Sequence, residues 1–371
     1  MRELLVIGSS FLLGTIIVVQ AYVNINLGGA LGHPLRAACI SFCVGACSLL
    51  LIHIIESAKG NNKISVSPEL LSVQPADMTA VTLDPDPDPD PDPPSMSGEV
   101  VTGATTTTTA ATAGVVLSVL CSRGSGMIIP YYYYCGGLLG AFYVSNAAIS
   151  VPYIGYSVFY VCFVCGQLSC ALTFDRFGIL ESPVLEIHPG RYIGCLCAAA
   201  GSVALLLASR GGDTPLGYTV LMVLGSFLSG VFLVTQSAVN SILRKKSKLS
   251  VVHTALISFS AGAASLLVIS SLTYISPTTF SATPLDITAL RWWHFFGGII
   301  GLVYVGSAVV FPHIIGYAAF VVALIAGQLV ASLLSDRFGL FGPEKASDYD
   351  PVGILGVCLG VLGATLVSVY K

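Results

Sequence analysis

One stretch of this chain occurs twice. Gly166-Gln167-Leu168 runs through a short apolar stretch into Asp175-Arg176-Phe177-Gly178, and Gly327-Gln328-Leu329 runs the same way into Asp336-Arg337-Phe338-Gly339. The offset is 161 residues at both ends of the block. At that offset Gly155-Tyr156 falls on Gly316-Tyr317, Gly136-Gly137 on Gly297-Gly298, Gly140 on Gly301, and Tyr143 on Tyr304. Nearer the N-terminus the offset widens. Ser41-Phe42 matches Ser258-Phe259 and Gly45-Ala46 matches Gly262-Ala263 at 217, while Gln20 and Asn24 match Gln236 and Asn240 at 216. The chain is therefore one unit written twice, and the first copy is longer by about 56 residues in a single loop.

Composition says where such a unit lives. Charged residues make up 9% and hydrophobic residues 54% of the 371, and mean hydropathy is +0.85. An ordinary soluble domain carries about 25% charged residues, so this chain belongs in a lipid bilayer. Spans of about 20 apolar residues are read at Leu4–Leu27, Leu35–Ile55, Tyr131–Ser150, Ile154–Phe174 and Tyr192–Ser209 in the first copy. The second copy gives Leu216–Ile242, Val251–Tyr274, Trp292–Phe311, Ile315–Ser335 and Pro351–Tyr370. Pro152 and Pro312 are read as the breaks between the third and fourth spans of each copy, since proline lacks an N–H and clashes with the preceding turn. The first span resembles a signal peptide behind Arg2, but its internal return at Leu216–Ile242 marks it as a retained helix.

The expected fold is an all-α polytopic membrane protein of ten transmembrane helices. Five spans per copy is an odd number, so the second copy enters the membrane upside down, which makes two inverted-topology five-helix repeats, residues 1–210 and 211–371. Residues 57–130 carry alternating Asp-Pro from Asp84 to Pro93 and a threonine run. That composition is read as a disordered tether between the second and third helices. With ten spans, eleven Lys/Arg fall on the side of both termini and five on the other. The positive-inside rule then places both termini in the cytoplasm, in what is read as a plasma membrane. Arg244-Lys245-Lys246-x-Lys248 supplies most of the excess and is read as a topology anchor.

Polar residues within the spans are the candidate pathway. Gln20 and Asn24 lie four apart on one helical face, and Gln236 and Asn240 repeat that face. Their amides serve equally as cavity lining or as hydrogen bonds between helices. Gln167 and Gln328 lie deeper in their spans, and Asn146 pairs with Ser307 in the second copy. Asp175-Arg176 and Asp336-Arg337 end their helices, either as interfacial charges or as gate and coupling residues. No carboxylate lies mid-span. Cys162-x-x-Cys165 reads as two small apolar residues on a helix rather than a redox or metal site. Neither metal nor other cofactor is expected, and there is no basic tract of the kind that binds nucleic acid. The expected partners are the lipid bilayer and a small-molecule substrate.

Gln20-x-x-x-Asn24, Ser41-Phe42-x-x-Gly45, Gly136-Gly137-x-x-Gly140 and the Gly166-to-Gly178 block resemble the YdcZ-type branch of the drug/metabolite transporter superfamily. Members of that branch are five-helix inner-membrane exporters, and this chain resembles two of them fused. The resemblance implies a secondary transporter that exports a small metabolite. It departs from the small multidrug-resistance relatives, which use a glutamate in the first helix; here that helix offers only Glu3 at its start. The alternative is a non-transporting membrane scaffold or receptor with the acidic tether as its arm. An enzyme is not expected, since no HExxH, GxGD or nucleophile-elbow motif is present. The odd span count makes a direct prediction. In a cysteine-light background, Arg176→Cys and Arg337→Cys label from opposite membrane faces with an impermeant maleimide; labelling from one face refutes the inversion.

Overall fold

The computed structural model describes residues 2–61, 130–181, 188–208, 215–276, 278, 282–315, 317–339 and 351–369. Among the described residues there are ten long helices: α1 Arg2–Leu31, α2 Pro34–Asn61, α3 Gly136–Ile154, α4 Tyr156–Phe177, α5 Pro189–Ala208, α6 Leu216–Ser247, α7 Val251–Ile275, α8 Phe296–Val310, α9 Tyr317–Phe338 and α10 Pro351–Val369. No strand occurs among the described residues. Seven of these helices are, by length and composition, apolar enough to cross a membrane: α1, α2, α3, α4, α6, α7 and α9. Large apolar side chains such as Leu12, Leu221, Val268 and Leu355 face outward, as lipid-facing positions require. The protein is an all-α, polytopic membrane protein.

Two compact units are present, residues 1–53 with 123–371, and residues 54–122. Of the second unit only the end of α2, to Asn61, is described. The loop read from residue 57 therefore begins after Asn61, and its Asp-Pro tract lies outside the described residues, as does the apolar patch Ala110–Cys121.

The proline reading needs correction. Proline starts helices here more than it ends them: Pro34, Pro189 and Pro351 open α2, α5 and α10, where the missing N–H is one that would have no partner anyway. Pro152 sits inside α3, which continues to Ile154. The break is made by Gly155, whose φ of 79° and ψ of 165° turn the chain while its N–H still bonds the Val151 carbonyl. In the second copy α8 runs to Val310, and Pro312 opens a four-residue turn, Pro312–Ile315. The repeated Asp-Arg-Phe-Gly also gains a meaning. Gly178 (φ 62°) follows α4 and Gly339 (φ 55°) follows α9 in the left-handed conformation, so the last glycine of each block terminates its helix.

Glycine decides which helices touch. A Cβ on Gly166 of α4 would overlap the Phe227 carbonyl of α6, and one on Gly230 of α6 would overlap the Phe163 carbonyl of α4. The equivalent residues do the same elsewhere: Gly327 of α9 abuts the Phe11 carbonyl of α1, and Gly14 of α1 abuts the Leu324 carbonyl of α9. Gly137 of α3 packs on Ser258 of α7, and Gly298 of α8 on Ser41 of α2. Finally Gly201 of α5 meets Gly356 of α10, and Gly363 of α10 meets Gly194 of α5. Each contact has its mate in the other repeat, so helices of one repeat are clasped between those of the other. Backbone approach of this kind replaces the hydrophobic driving force that lipid does not supply.

The crossings make a stability prediction. Gly166→Leu or Gly230→Leu forces the helices apart, at a cost of about 1–3 kcal/mol for overpacking. Gly217→Leu, with nothing within 4 Å of its Cβ position, serves as control. Thermal unfolding of detergent-solubilised protein should show a lowered midpoint for the first two and an unchanged one for the third.

Candidate functional site: an off-centre cavity with a closed opposite end

α9 and α4 run antiparallel, and their two crossings of ends are not alike. Asp336, at the C-terminal end of α9, accepts the first N–H groups of α4: Tyr156 N to Oδ1 at 2.9 Å and Ser157 N to Oδ2 at 2.6 Å. A carboxylate on a helix N-terminus satisfies donors that have no intrahelical partner and meets the positive end of the helix dipole. By the 161 offset, the equivalent contact would join Asp175 to the backbone at Tyr317 and Ala318 of α9. Asp175 pairs with Arg191 at the start of α5, Nη2 to Oδ2 at 2.5 Å. It lines a cavity whose opposite wall is Phe320, Val321 and Leu324 of α9. The same two helices are bound together at one end and held apart at the other.

That cavity, of about 260 Å³, continues into a larger lobe of about 600 Å³. The two share Ser237, Ser241, Tyr304 and Ala308. Gln167 and Leu233 line the smaller lobe; Gln236, Asn240 and the basic residues ending α6 line the larger. The walls thus come from α4, α6, α7, α8 and α9.

The pseudo-equivalent positions at the other end are filled. Tyr304 lines the cavity, whereas Tyr143 is buried within 3.5 Å of the Tyr160 hydroxyl, which itself donates to the Ile17 carbonyl at 3.1 Å. Gln167 reaches the cavity, whereas Gln328 is fully buried in the α1–α9 crossing. The filled end carries a further clamp. Buried Arg36 at the start of α2 donates to Thr273 Oγ1 (2.8 Å) and to the carbonyls of Leu31 (2.7 Å), Thr273 (3.0 Å) and Thr283 (3.1 Å). Its guanidinium also stacks 3.7 Å over the Tyr274 ring. This ties α2, α7 and the segment before α8 together.

The polar residues read from the sequence fall into distinct groups. Gln20 donates to the Gly297 carbonyl at 2.9 Å, and Asn24 accepts from Ser41. Both are buried against glycines of α8, so these two bind helices. Gln236 and Asn240 both donate to Ser258 Oγ, each at 3.2 Å, and border the cavity as well. Asn146 is tied into the α3–α6 seam by Ser229 at 3.1 Å and Ser150 at 3.0 Å. Arg176 is exposed and Arg337 half-buried at the helix ends. Sequence reading passed over Arg191, which it counted as a loop charge, and Tyr304, which it used only to align the repeats; the repeat offset could have paired Tyr304 with Tyr143 as candidates.

Outside the cavity lining, Lys246 is engaged by Glu181, 2.7 Å away. The Lys246 ammonium holds the Glu181 carboxyl below its usual range. No group of three or more His, Cys, Asp or Glu placed to hold a metal occurs among the described residues.

The family model described as "Putative inner membrane exporter, YdcZ" matches residues 5–71, 96–204 and 221–366. The chain belongs to that family. The Inner membrane protein YdcZ of Escherichia coli (strain K12) is 30% identical over 82 residues, a match that takes in 22% of this chain and 54% of that protein. The chain thus spans about half the length of this curated relative. A solved structure described as "Crystal structure of protein" aligns over 100% of this chain and 98% of its own, with 16% identity and a TM-score of 0.50. That likeness concerns the fold alone. Family membership makes this a multi-pass protein of an exporter family; it names no substrate.

Asp336→Ala removes the carboxylate from α4 and leaves two backbone donors without their acceptor, a loss of about 1–3 kcal/mol. The unfolding midpoint should fall. Asp286→Ala, which removes only a local loop cap on Thr288, should fall far less; equal shifts would show that the Asp336 contact contributes nothing special.

Proposed function

We propose that this chain is a secondary transporter that exports a small metabolite across the plasma membrane by alternating access between two inverted repeats, residues 1–210 and 211–371. The observation that carries the reading is the broken symmetry of α4 and α9. Asp336 latches them at one end, and the cavity separates them at the other. On the positive-inside reading, the open end faces the cytoplasm, because Arg244, Lys245 and Lys248 stand at its mouth. This is the conformation in which an exporter loads.

In the opposite state the repeats exchange roles. Asp175 leaves Arg191 and caps α9, Asp336 releases α4, and Gln328 and Tyr143 come to line the cavity that Gln167 and Tyr304 line here. The glycine crossings of α4 on α6 and of α9 on α1 serve as fulcra, since each keeps two helices in contact while their ends part. Each latch contributes two charge-assisted bonds, of about 1.5–3 kcal/mol apiece before desolvation is subtracted. The exchange of one for the other leaves the two states close in free energy, as a cycling carrier requires.

The reading is tested by accessibility. In a cysteine-light background, Ala308→Cys should label from the cytoplasmic side. Adding Asp336→Ala should reduce that labelling and expose Tyr143→Cys to reagent from the opposite side. Reconstituted protein should move solutes from a metabolite mixture, and Gln167→Ala with Gln328→Ala should cut flux at least tenfold. Failure of Asp336→Ala to alter either label, or a double alanine variant with full flux, overturns the proposal.

A further inference from the structure

The cavity lining carries a charge pattern that bears on what enters. Deepening the transport reading, and resting on it, we infer that the substrate is an amphipathic organic anion, held by Arg244 and Lys248 at the cytoplasmic mouth with its apolar body against α7 and α8. Residues 237, 241, 244 and 245 of α6 recur at three- and four-residue spacings, so they form one face of the helix, and they line the larger lobe together with Lys248, the residue that follows α6. Lys246 lies off that face and is the cation neutralised by Glu181. Lys245 stands 4.0 Å from the same carboxylate. Arg244, half-buried, and Lys248 have no ion pair among the described residues.

No carboxylate lines the larger lobe. Asp175 in the smaller lobe is bound to Arg191. Arg244 and Lys248 therefore border the lobe with no ion pair among the described residues and no carboxylate in its lining, and a cleft lined by one sign of charge concentrates negative solutes. α7 adds to the field: Val251, its first residue, lines the lobe with Thr254, so the positive end of a 25-residue helix borders the same space. A topology anchor explains why basic residues sit at this end of the bundle. It does not explain why Arg244 and Lys248 line the lobe while Lys246, held by Glu181, does not.

The remaining lining sets the rest of the molecule. Val251, Ala255, Val305 and Ala308 are apolar, and Ser237, Ser241 and Thr254 supply hydroxyls. A volume of about 600 Å³ falls in the range that encloses a small organic ligand rather than an inorganic ion. A carboxylate or other single acidic group on an aromatic or aliphatic body of modest size fits both the charge and the walls.

The test uses three probes with one ring system and different charge: naphthalene-1-carboxylate, naphthalene-1-methanol and naphthalene-1-methylammonium. Binding to the full chain in detergent is read by ligand-induced thermal shift. The carboxylate should bind at least tenfold more tightly than the alcohol, and the ammonium more weakly than either. Arg244→Gln with Lys248→Gln should bring the carboxylate to the level of the alcohol, Arg244→Lys with Lys248→Arg should restore much of the preference, and Lys246→Gln should leave it intact. An unchanged elution volume for the double variant shows that it is folded. Equal response to the three probes, preference for the ammonium, no response to the carboxylate, or a double variant that keeps its selectivity overturns the assignment. The two readings fail separately. Flux of the ammonium through reconstituted protein would refute the anion class and leave transport standing. Charge-selective binding with no flux of any solute would refute transport and leave the anion site standing.

Discussion

Helix contact without side chains is the constraint on which this molecule depends. In water, apolar faces associate because water is expelled; between lipid-facing helices that force is absent, and close packing must do its work. Gly166 against Gly230, and Gly14 against Gly327, bring backbones together at two equivalent crossings. The amides gather around the same kind of surface. Gln20 and Asn24 lie over Gly301 and Gly297, as Gln236 and Asn240 lie over Gly140 and Gly136. Glycine there provides room for a polar side chain to find partners inside the bilayer, where a lone amide would be costly.

Because the crossings are at glycine, they fix position without locking angle. A seam of interdigitated large side chains has one good register, whereas two smooth backbones in contact tolerate a small rotation. The polar groups at the helix ends then choose among the angles. Asp336 on α4 draws one pair of ends together, and Arg36 secures the nearby ends of α2 and α7. At the far end the equivalent carboxylate, Asp175, pairs with Arg191. The glycine crossings are thus matched between the repeats, while the charged contacts at the helix ends are not.

Much of the architecture was legible in the chain. The repeat of Gly-Gln-Leu through Asp-Arg-Phe-Gly gave the duplication, and hydropathy gave the spans, because both properties are local. The breaks were misread at Pro152, since a proline near a helix end costs only a bond to the residue four before it. Gly155 does the turning, through a dihedral that composition does not display. For the site, identity was legible and state was not. Gln167 and Gln328 are the same residue in the same local sequence, yet one lines a cavity and the other is sealed. No sequence comparison of the repeats distinguishes them, because the difference lies in the conformation that the whole bundle adopts. The role of Arg191 was hidden for a related reason: its partner is sixteen residues away in sequence and reached only when α4 and α5 pack.

The Arg191 contact has one more implication. At the repeat offset, its counterpart in the second half is Val352. Asp175 therefore has somewhere else to go when its latch is open, and Asp336 lacks the equivalent arginine. On the alternating-access proposal, the duplication has drifted at a position that weights the two orientations unequally. Under that proposal an empty carrier rests facing one compartment, waiting for cargo on that side, and a single inherited substitution gives a symmetric machine a preferred direction of readiness.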